Sequence, residues 1–395
     1  MDMTSEWATA ELGQVANFID YRGKTPPKQS FGVPLVTAKI IKNNRMQQPQ
    51  EFIADDFYNE WMRRGIPNKG DVIFTTEAPL GEVAQIRTDE KLAFAQRIII
   101  IQANSDKLDN SFLFYTLQHK TMKSKIEARS SGTTVFGIKS AELKKVEVNY
   151  PNLPEQRAIA AILSCLDDKI ENNMKINHHL EQMAQASFER LLIEDAAGEP
   201  LGVLSDIAEI NPLRSLQKGK EAVYIEMANL PTSGSFPDDW VTRPFSGGMK
   251  FRNGDTIMAR ITPCLENGKI AYISFLREDE IAFGSTEYIV IAPKPGYCNE
   301  MFYFLARNRD FVSYAVKNMT GSSGRQRVSG DSVGAYELHI PPREAVDEFA
   351  EIARPIMETI GHNALESRNL ATLRDTLLPR LMSGELSVAD LIDSK

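Results

Sequence analysis

The feature that most constrains the fold of this 395-residue chain is an internal repeat that covers most of its length. The stretch SSGTTVFGIKSAELKKVEV at Ser130 returns as SSGRQRVSGDSVGAYELHI at Ser322, 192 residues later. Three more stretches return in the same order, with offsets of 184, 189 and 189 residues. They begin at Gly70 and Gly254, at Ala93 and Ala282, and at Asn110 and Asn299. Such steady offsets mean that two whole modules correspond and differ by short loop insertions.

Each module combines the sequence patterns of strands and helices. Apolar runs rich in β-branched residues, such as VIF, RIIIIQ, TIM and YIVIA, predict strands. The stretches FLFYTLQHKTMKSKI and EMFYFLARNRDFVSYAV predict amphipathic helices. The two Ser-Ser-Gly stretches then become loops that lead to a last short strand. We therefore expect an α+β chain with two mixed modules.

A long helical segment follows each module, and its apolar residues recur every three or four positions. Six positions of the second stripe coincide with the first after subtraction of 190, and Asn363 then falls on Asn173. A helix that long cannot bury its stripe against one small module. We therefore expect an antiparallel coiled coil in which the two asparagines meet, and a pseudo-twofold chain. The predicted seam consists of Ile159, Ile162, Leu166, Asn173, Ile176, Leu180, Met183, Phe349, Ile352, Ile356, Asn363, Leu370 and Leu373.

Two observations leave alternatives open for these helices. Pro355 and Gly361 are expected to kink or loosen the second helix. Both helices could also pack on their own modules as ordinary core elements, without forming a coiled coil.

Several function classes lose support from motifs that the sequence lacks. It contains no GxxxxGK[ST] phosphate loop, HExxH zinc motif or Asn-Pro-Pro-aromatic stretch. Its three isolated cysteines argue against a disulfide framework and a zinc site. No apolar run approaches the roughly 20 residues that span a bilayer, and no secretion signal is seen. We expect a cytoplasmic protein without catalytic or metal-binding residues.

The charge of the chain is unevenly distributed. The formal net charge of −8 weighs against nucleic-acid binding. Residues 22–45, however, contain six basic residues and no Asp or Glu. An isolated basic run of this kind is more often a solvated loop face than a binding site, so the charge alone decides nothing.

The architecture and certain motifs together resemble the specificity subunits of type I restriction–modification systems. The strongest matches are LPEQRAIAAIL at Leu153 and TLRDTLLPRLMSGELSV at Thr372, which look like the two helical conserved regions of that family. DYRGKTPPK at Asp20 and the SSGTTVFGIKS loop look like stretches of its target recognition domains. The second helical region departs from the pattern, because it begins PPREAVDEFAEIA without a Pro-Glu-Gln motif.

The resemblance implies a role in DNA recognition. Two target recognition domains, at residues 1–150 and 196–340, each read one half of a split, asymmetric site on double-stranded DNA. Helical regions at 151–195 and 341–388 act as a ruler and dock two modification subunits. Those subunits flip and methylate adenine with S-adenosylmethionine, and restriction subunits cleave and translocate DNA with ATP and Mg²⁺. The chain itself would carry no active site and no cofactor.

Candidate DNA contacts come from the basic and amide-bearing run and from the two Ser-Ser-Gly loops. Arginine can bond guanine, and Gln or Asn can bond adenine, with two hydrogen bonds. Gly132 would let the backbone approach phosphate. The candidates are Arg22, Lys24, Lys28, Lys39, Lys42, Asn43, Asn44, Arg45, Thr133, Thr134, Lys139, Arg214, Arg325, Gln326 and Arg327.

Two other hypotheses remain from the sequence. A non-catalytic protein–protein scaffold with two peptide-binding modules would also explain the duplication, although residues 22–45 argue mildly against it. A stand-alone nuclease or methyltransferase would need a catalytic motif, and none was found in the sequence.

Overall fold

The computed structural model describes residues 7–23, 25–132, 136–322 and 324–392. The chain divides into two compact units, residues 1–168 with 370–395 and residues 169–369. Each long helix contributes one segment to each unit.

The first unit contains the first module and is built mainly from short strands. Its strands are β1 Ala8–Glu11, β2 Ala16–Asp20, β3 Val33–Val36, β4 Ile41–Lys42, β5 Arg45–Met46, β6 Phe52–Ile53, β7 Val72–Thr76, β8 Leu80–Gln85, β9 Ala93–Phe94, β10 Ile98–Ala103 and β11 Glu147–Tyr150. Its helices are α1 Leu12–Val15, α2 Tyr58–Trp61, α3 Asn110–Gln118, α4 Lys120–Ala128 and α5 Ser140–Lys144, with a 3₁₀ turn at Ala38–Ile40.

The second unit contains the second module. Its strands are β12 Leu201–Val203, β13 Ala208–Ile210, β14 Glu221–Ile225, β15 Val241–Pro244, β16 Met249–Phe251, β17 Thr256–Ala259, β18 Ile270–Tyr272, β19 Ala282–Gly284, β20 Tyr288–Pro293 and β21 Glu337–His339. The long helix α6 Leu153–Phe188, followed by a π-helical turn Glu189–Glu194, precedes them. The other helices are α7 Leu204–Ile207, α8 Asn299–Arg307, α9 Arg309–Lys317, α10 Gly330–Gly334, α11 Arg343–Met382 and, back in the first unit, α12 Val388–Ile392.

The two modules share one sheet topology, which confirms the internal repeat. The first has a four-stranded antiparallel sheet of order β2-β10-β7-β8, and the second has the order β13-β20-β17-β18. In both, the central strands are the β-branched runs seen in the sequence, and their alternating faces are buried. Ile99 and Ile101 face one hydrophobic core, while Ile98 and Ile100 face another. The predicted mixed α+β architecture is therefore confirmed.

A buried glutamine fastens the start of α6 to the first module. Gln156 is fully buried, and its Nε2 donates to the carbonyls of Lys107 and Pro151 at 2.9 and 2.8 Å. Its Oε1 accepts from the Asp109 amide at 2.8 Å. Both the Nε2 and the Oε1 atoms of Gln156 thus hold the start of α6 to the first module. In α11 the repeat-related position is Val346, which is 1% exposed and packs in an apolar core. Where α6 has the hydrogen-bonded Gln156 of its Pro-Glu-Gln motif, α11 therefore has an apolar contact through Val346.

The two long helices run antiparallel where they meet in the second unit. The Asn173 side chain is 1% exposed, and its Nδ2 donates to the Asn363 carbonyl at 3.3 Å and to Glu366 Oε2 at 2.7 Å. One turn later, Asn177 Oδ1 accepts from Asn363 Nδ2 at 2.8 Å. A step forward along α6 is therefore a step backward along α11. The predicted meeting of Asn173 and Asn363 is confirmed.

Two residues of the predicted seam on α6, Ile176 and Met183, are out of phase with the packed side of the helix. Ile176 and Met183 are 47% and 61% exposed, while Asn177 is half-buried and Ala184 fully buried. The predicted seam uses only apolar residues after Asn173, whereas the packed side of α6 carries the hydrogen-bonded Asn177 and the small Ala184. On α11, the predicted seam residue Leu373 is also on the exposed side of the helix, with 46% of its surface exposed.

The remaining predicted seam residues are buried or half-buried. They also pack against their own modules, because Phe349 and Ile356 share a core with side chains of α8. The helices therefore contact each other and also pack against their own modules. The buried or half-buried members are Ile159, Ile162, Leu166, Asn173, Leu180, Phe349, Ile352, Ile356, Asn363 and Leu370.

The helix α11 continues through Pro355 and Gly361, so neither residue ends it. A Cβ atom at Gly361 would lie 3.2 Å from Ser274 Oγ. The glycine therefore permits a close approach between the helix and the module rather than a break.

Candidate nucleic-acid interface

In the first module, the Ser-Ser-Gly loop is closed by a short antiparallel bridge. Ser131 and Gly137 exchange backbone hydrogen bonds of 2.9 and 3.0 Å, and Gly137 also bridges Glu77. The next amide, of Ile138, donates to the Thr76 carbonyl at 3.0 Å. The loop is thus attached to the end of β7.

The second module attaches its loop in the same way. Thr320 and Arg327 exchange backbone hydrogen bonds of 2.9 and 2.8 Å, and Arg327 also bridges Ile261. The Val328 amide then donates to the Arg260 carbonyl at 3.0 Å, just beyond the end of β17. The two loops are therefore structurally equivalent, although their side chains differ.

Three cations of the basic run are paired with carboxylates. The Arg22 guanidinium contacts Asp20 at 2.6 Å, and the Lys28 and Lys39 ammonium groups contact Glu51 at 3.0 and 2.6 Å. The hydrogen bond from Lys39 is the main cause of a lowered pKa of Glu51. The two carboxylates lie just outside the basic run in the sequence, so the run itself does not reveal these ion pairs.

The middle of the run forms a tight hairpin. Lys42 on β4 pairs with Arg45 on β5, and Asn43 and Asn44 occupy the turn with φ of 53° and 59°. Asparagine tolerates this left-handed conformation better than most residues. The Asn44 amide also donates to Glu82 Oε2 at 3.4 Å. Both asparagines thus have a turn-forming role, and Lys42 and Asn43 are exposed beside it.

Four other predicted residues in the first module stand as follows. Lys139 is exposed at the start of α5. The positions of Lys24, Thr133 and Thr134 lie outside the described residues.

Sequence reasoning missed two residues near the first loop. Arg97 forms a salt bridge of 2.9 Å with Glu77, at the strand end where the loop attaches. Phe136, which directly precedes the bridging glycine, is 59% exposed. An aromatic residue between a Thr-Thr pair and a glycine in a predicted loop is the signal that could have identified Phe136.

The Arg214 side chain, which the sequence predicts as a DNA contact, is buried against a carboxylate. This side chain is 8% exposed and forms a salt bridge with Asp255, which is 2% exposed; one of the contacts is 2.6 Å. Burial raises the pKa of Asp255 to about 6, while the Arg252 amide and the Arg214 guanidinium act to lower it. Arg214 corresponds to Arg22 at an offset of 192 residues. The equivalent carboxylate of the first module, Asp71, is also buried, but it accepts hydrogen bonds from Gln102 and Asn110. Arg22 pairs with Asp20 instead.

The second loop presents Arg325, Gln326 and Arg327 differently. Arg325 is exposed, and no ion pair within the described parts of the chain involves its side chain. Gln326 is half-buried, and its carbonyl accepts from the Thr262 amide at 3.0 Å. The Arg327 side chain makes paired hydrogen bonds of 2.7 to 2.9 Å to Glu287. This bonding is the main cause of a lowered pKa of Glu287.

No group of three or more His, Cys, Asp or Glu side chains within residues 7–23, 25–132, 136–322 and 324–392 could hold a metal ion. Of the helices in the same ranges, none combines the length and the apolar character needed to cross a bilayer.

The chain matches a family and several relatives. The model of the type I restriction modification DNA specificity domain matches residues 4–182. The specificity subunit of the type I restriction enzyme MjaIX from Methanocaldococcus jannaschii is 25% identical over an alignment of 420 positions, which covers 96% of this chain and 93% of that one. The specificity subunit of HindI from Haemophilus influenzae is 22% identical, with coverage of 97% and 100%.

Similarity to a solved structure supports the fold. The crystal structure of a type I restriction–modification S subunit from M. genitalium superimposes with a TM-score of 0.62. The aligned regions cover 96% of this chain and 97% of that one, at 15% sequence identity.

Proposed function

We propose that this chain is the specificity subunit of a type I restriction–modification system and that its two modules read unlike halves of one bipartite DNA site. The observation that carries the proposal is the pair of equivalent loops. Each is closed by an antiparallel bridge and attached beside the end of the same central strand. A conserved attachment with different side chains is what two readers of different sequences need.

The second loop has the clearer chemistry for base recognition. Arg325 is exposed and can bond the O6 and N7 atoms of guanine, whereas Gln326 can bond adenine. Arg327 is held by Glu287, which orients its planar guanidinium. In the first module, the corresponding contacts come from Thr133, Thr134, Phe136 and Lys139.

The paired helices set the separation of the two half-sites in this proposal. The asparagine contacts support it, because a polar pair in a seam disfavours other registers of the two helices. A fixed register gives a fixed length, and the spacing between two readers determines the spacing of the sequences they bind.

The remaining roles belong to partner proteins. Two modification subunits dock on the helical regions and methylate adenine with S-adenosylmethionine, and restriction subunits supply ATP- and Mg²⁺-dependent cleavage. This chain contributes no catalytic residue and no cofactor site, and the complex acts on double-stranded DNA in the cytoplasm.

An exchange of modules tests the proposal. Residues 1–150 are replaced by the corresponding segment of another specificity subunit, and the hybrid is co-expressed with the modification subunit. We expect one half of the methylated motif to change, while the other half and the spacer stay the same. A change in both halves, with the hybrid still active, would contradict independent reading. Exchange of residues 196–340 is the reciprocal control.

A further inference from the structure

The second module carries a sheet with cations and aromatic rings on one face. Its strand order is β15-β14-β19-β16. Across these strands, Tyr224 lies opposite Phe283, and Phe283 lies opposite Lys250. Arg243 lies opposite Ala222, two residues from Tyr224, and therefore shares its face. Alternate residues point the other way.

The edge of the sheet extends the same face. The Phe245 amide donates to the Lys220 carbonyl at 2.9 Å, which continues the pairing of β14 and β15 by one residue. Lys220 and Phe245 each lie two residues from Ala222 and Arg243, respectively, and therefore lie on the same face of the sheet. The face is called the cationic sheet face here and consists of Lys220, Tyr224, Arg243, Phe245, Lys250 and Phe283.

The opposite face is buried. Ile225 and Phe251 are fully buried in an apolar core, and Val223 and Met249 pack against that core. Hydrophobic packing therefore fixes the sheet and leaves the cationic sheet face toward solvent. Val241, opposite Tyr224, is 47% exposed.

The cations on this face contact rings instead of carboxylates. The Arg243 guanidinium lies 3.3 Å from the centroid of the Tyr224 ring, and the Lys250 ammonium lies 5.7 Å from that of Phe245. In the part of the chain that the structure describes, no salt bridge involves Lys220, Arg243 or Lys250. This contrasts with Arg22, Lys28, Lys39 and Arg327, all of which face a carboxylate.

We propose that the cationic sheet face binds the phosphate backbone of duplex DNA, independently of base sequence. The proposal rests on the function proposed above and adds a positioning surface to it. Three cations without carboxylate partners complement a polyanion. The Arg243 guanidinium contacts the face of the Tyr224 ring. Its N–H groups remain available to phosphate oxygens.

The covered rings favour duplex backbone over unpaired bases. Phe283 is fully buried, and Tyr224 and Phe245 are half-buried. Single-stranded nucleic acids bind by stacking bases on open ring faces, and the guanidinium of Arg243 already occupies one face of the Tyr224 ring. The aromatic residues therefore orient the cations.

This face belongs to the second module alone. In the first module, the repeat-related residues are Val36, Phe52 and Phe94 in place of Tyr224, Arg243 and Phe283, as the strand registers show. Val36 and Phe94 are fully buried. Backbone binding by this surface would consequently be asymmetric between the two half-sites.

A charge-neutralising triple variant tests the proposal. Lys220→Gln, Arg243→Gln and Lys250→Gln are combined, and the purified complex with its modification subunits is titrated with duplex DNA at several salt concentrations. We expect the slope of log affinity against log salt to become shallower by up to about 2.7, since each phosphate contact contributes about 0.9. The loss should be equal for duplexes with and without the methylated motif, and the motif itself should not change.

Two further variants control this experiment. Arg277→Gln, Arg309→Gln and Lys317→Gln remove the same charge from exposed positions of the same module and should leave the slope unchanged. Arg243→Lys retains the charge and should preserve the slope.

Either of two results would overturn the proposal. One is an unchanged slope in a correctly assembled triple variant. The other is that light scattering shows the triple variant without its modification subunits, while the variant still binds DNA normally. The cationic sheet face would then bind an acidic protein surface. Failure of the proposed function is a separate result: the wild-type complex would bind motif and non-motif duplexes equally.

Discussion

Arg214 and Asp255 form an ion pair in which both side chains are almost fully buried. Removing one partner of such a pair leaves a charge in a place that water cannot reach. The pKa of Asp255 is raised to about 6, so the carboxyl binds its proton more tightly in the folded chain than in the unfolded chain, where the usual value is about 3.9. Folding therefore becomes less favourable as the pH rises from about 4 to above 6.

Replacing Arg214 with Gln should increase that pH dependence. The substitution removes a group that lowers the pKa of Asp255, so the carboxyl remains protonated to higher pH. We expect the loss of unfolding free energy to be modest at pH 5 and about 3–5 kcal/mol at pH 8. Urea unfolding at both pH values measures it. An equal loss at pH 5 and pH 8 would contradict a buried, titrating pair.

Arg325 should have the opposite behaviour. Because its side chain is exposed, Arg325→Ala should change the unfolding free energy by no more than about 0.5 kcal/mol. DNA binding by the complex should weaken by about 1–3 kcal/mol, with relaxed base preference in one half-site. The matched control is Arg309→Ala, an exposed arginine on α9 of the same unit. If the two variants bind every tested duplex alike, Arg325 does not read bases.

At the scale of elements, the long helices combine apolar packing with a polar centre. Asn173 is 1% exposed and bonds across the helix pair, and Asp167 accepts from both Arg374 and Tyr115 at 2.7 and 2.8 Å within the first unit. These polar groups restrict the helices to one register, because a shift would leave buried donors and acceptors unpaired.

Asn173→Ala should destabilise the second unit by about 1–2 kcal/mol, since the Asn363 carbonyl loses a donor. Asn172→Ala is the matched control, because Asn172 is an exposed neighbour on the same helix. Ile176→Ala should also cost less than about 0.5 kcal/mol, given its exposure. Urea unfolding followed by circular dichroism compares the three. A larger cost for Ile176→Ala than for Asn173→Ala would restore the purely apolar seam.

The sequence predicted the elements better than their contacts. Periodic patterns in the sequence predicted the repeat, the strands and the meeting of Asn173 with Asn363. Asn177 and Ala184 were missed because a hydrophobic pattern cannot show that a polar or small residue lies in a seam. The same limit applies at the interface, where the equivalence of the two loops was predictable. The carboxylates that pair with Arg22, Arg214 and Arg327 were not.

At the scale of the whole molecule, charge segregation is compatible with the proposal that this acidic chain reads DNA. The formal net charge is −8, yet Lys220, Arg243 and Lys250 collect on one sheet face of the second module. Carboxylates such as Glu51 and Glu287 neutralise other cations locally. In the proposed function, specificity comes from a few loop residues, while backbone contacts and partner subunits supply affinity.

The measurement that tests the central claim most directly is a map of adenine methylation in the DNA of a host that expresses this chain with its modification subunit. The account predicts a bipartite motif with two unlike halves separated by a spacer of fixed length. An unsplit motif, a palindromic pair of identical halves, or no sequence preference at all would contradict it.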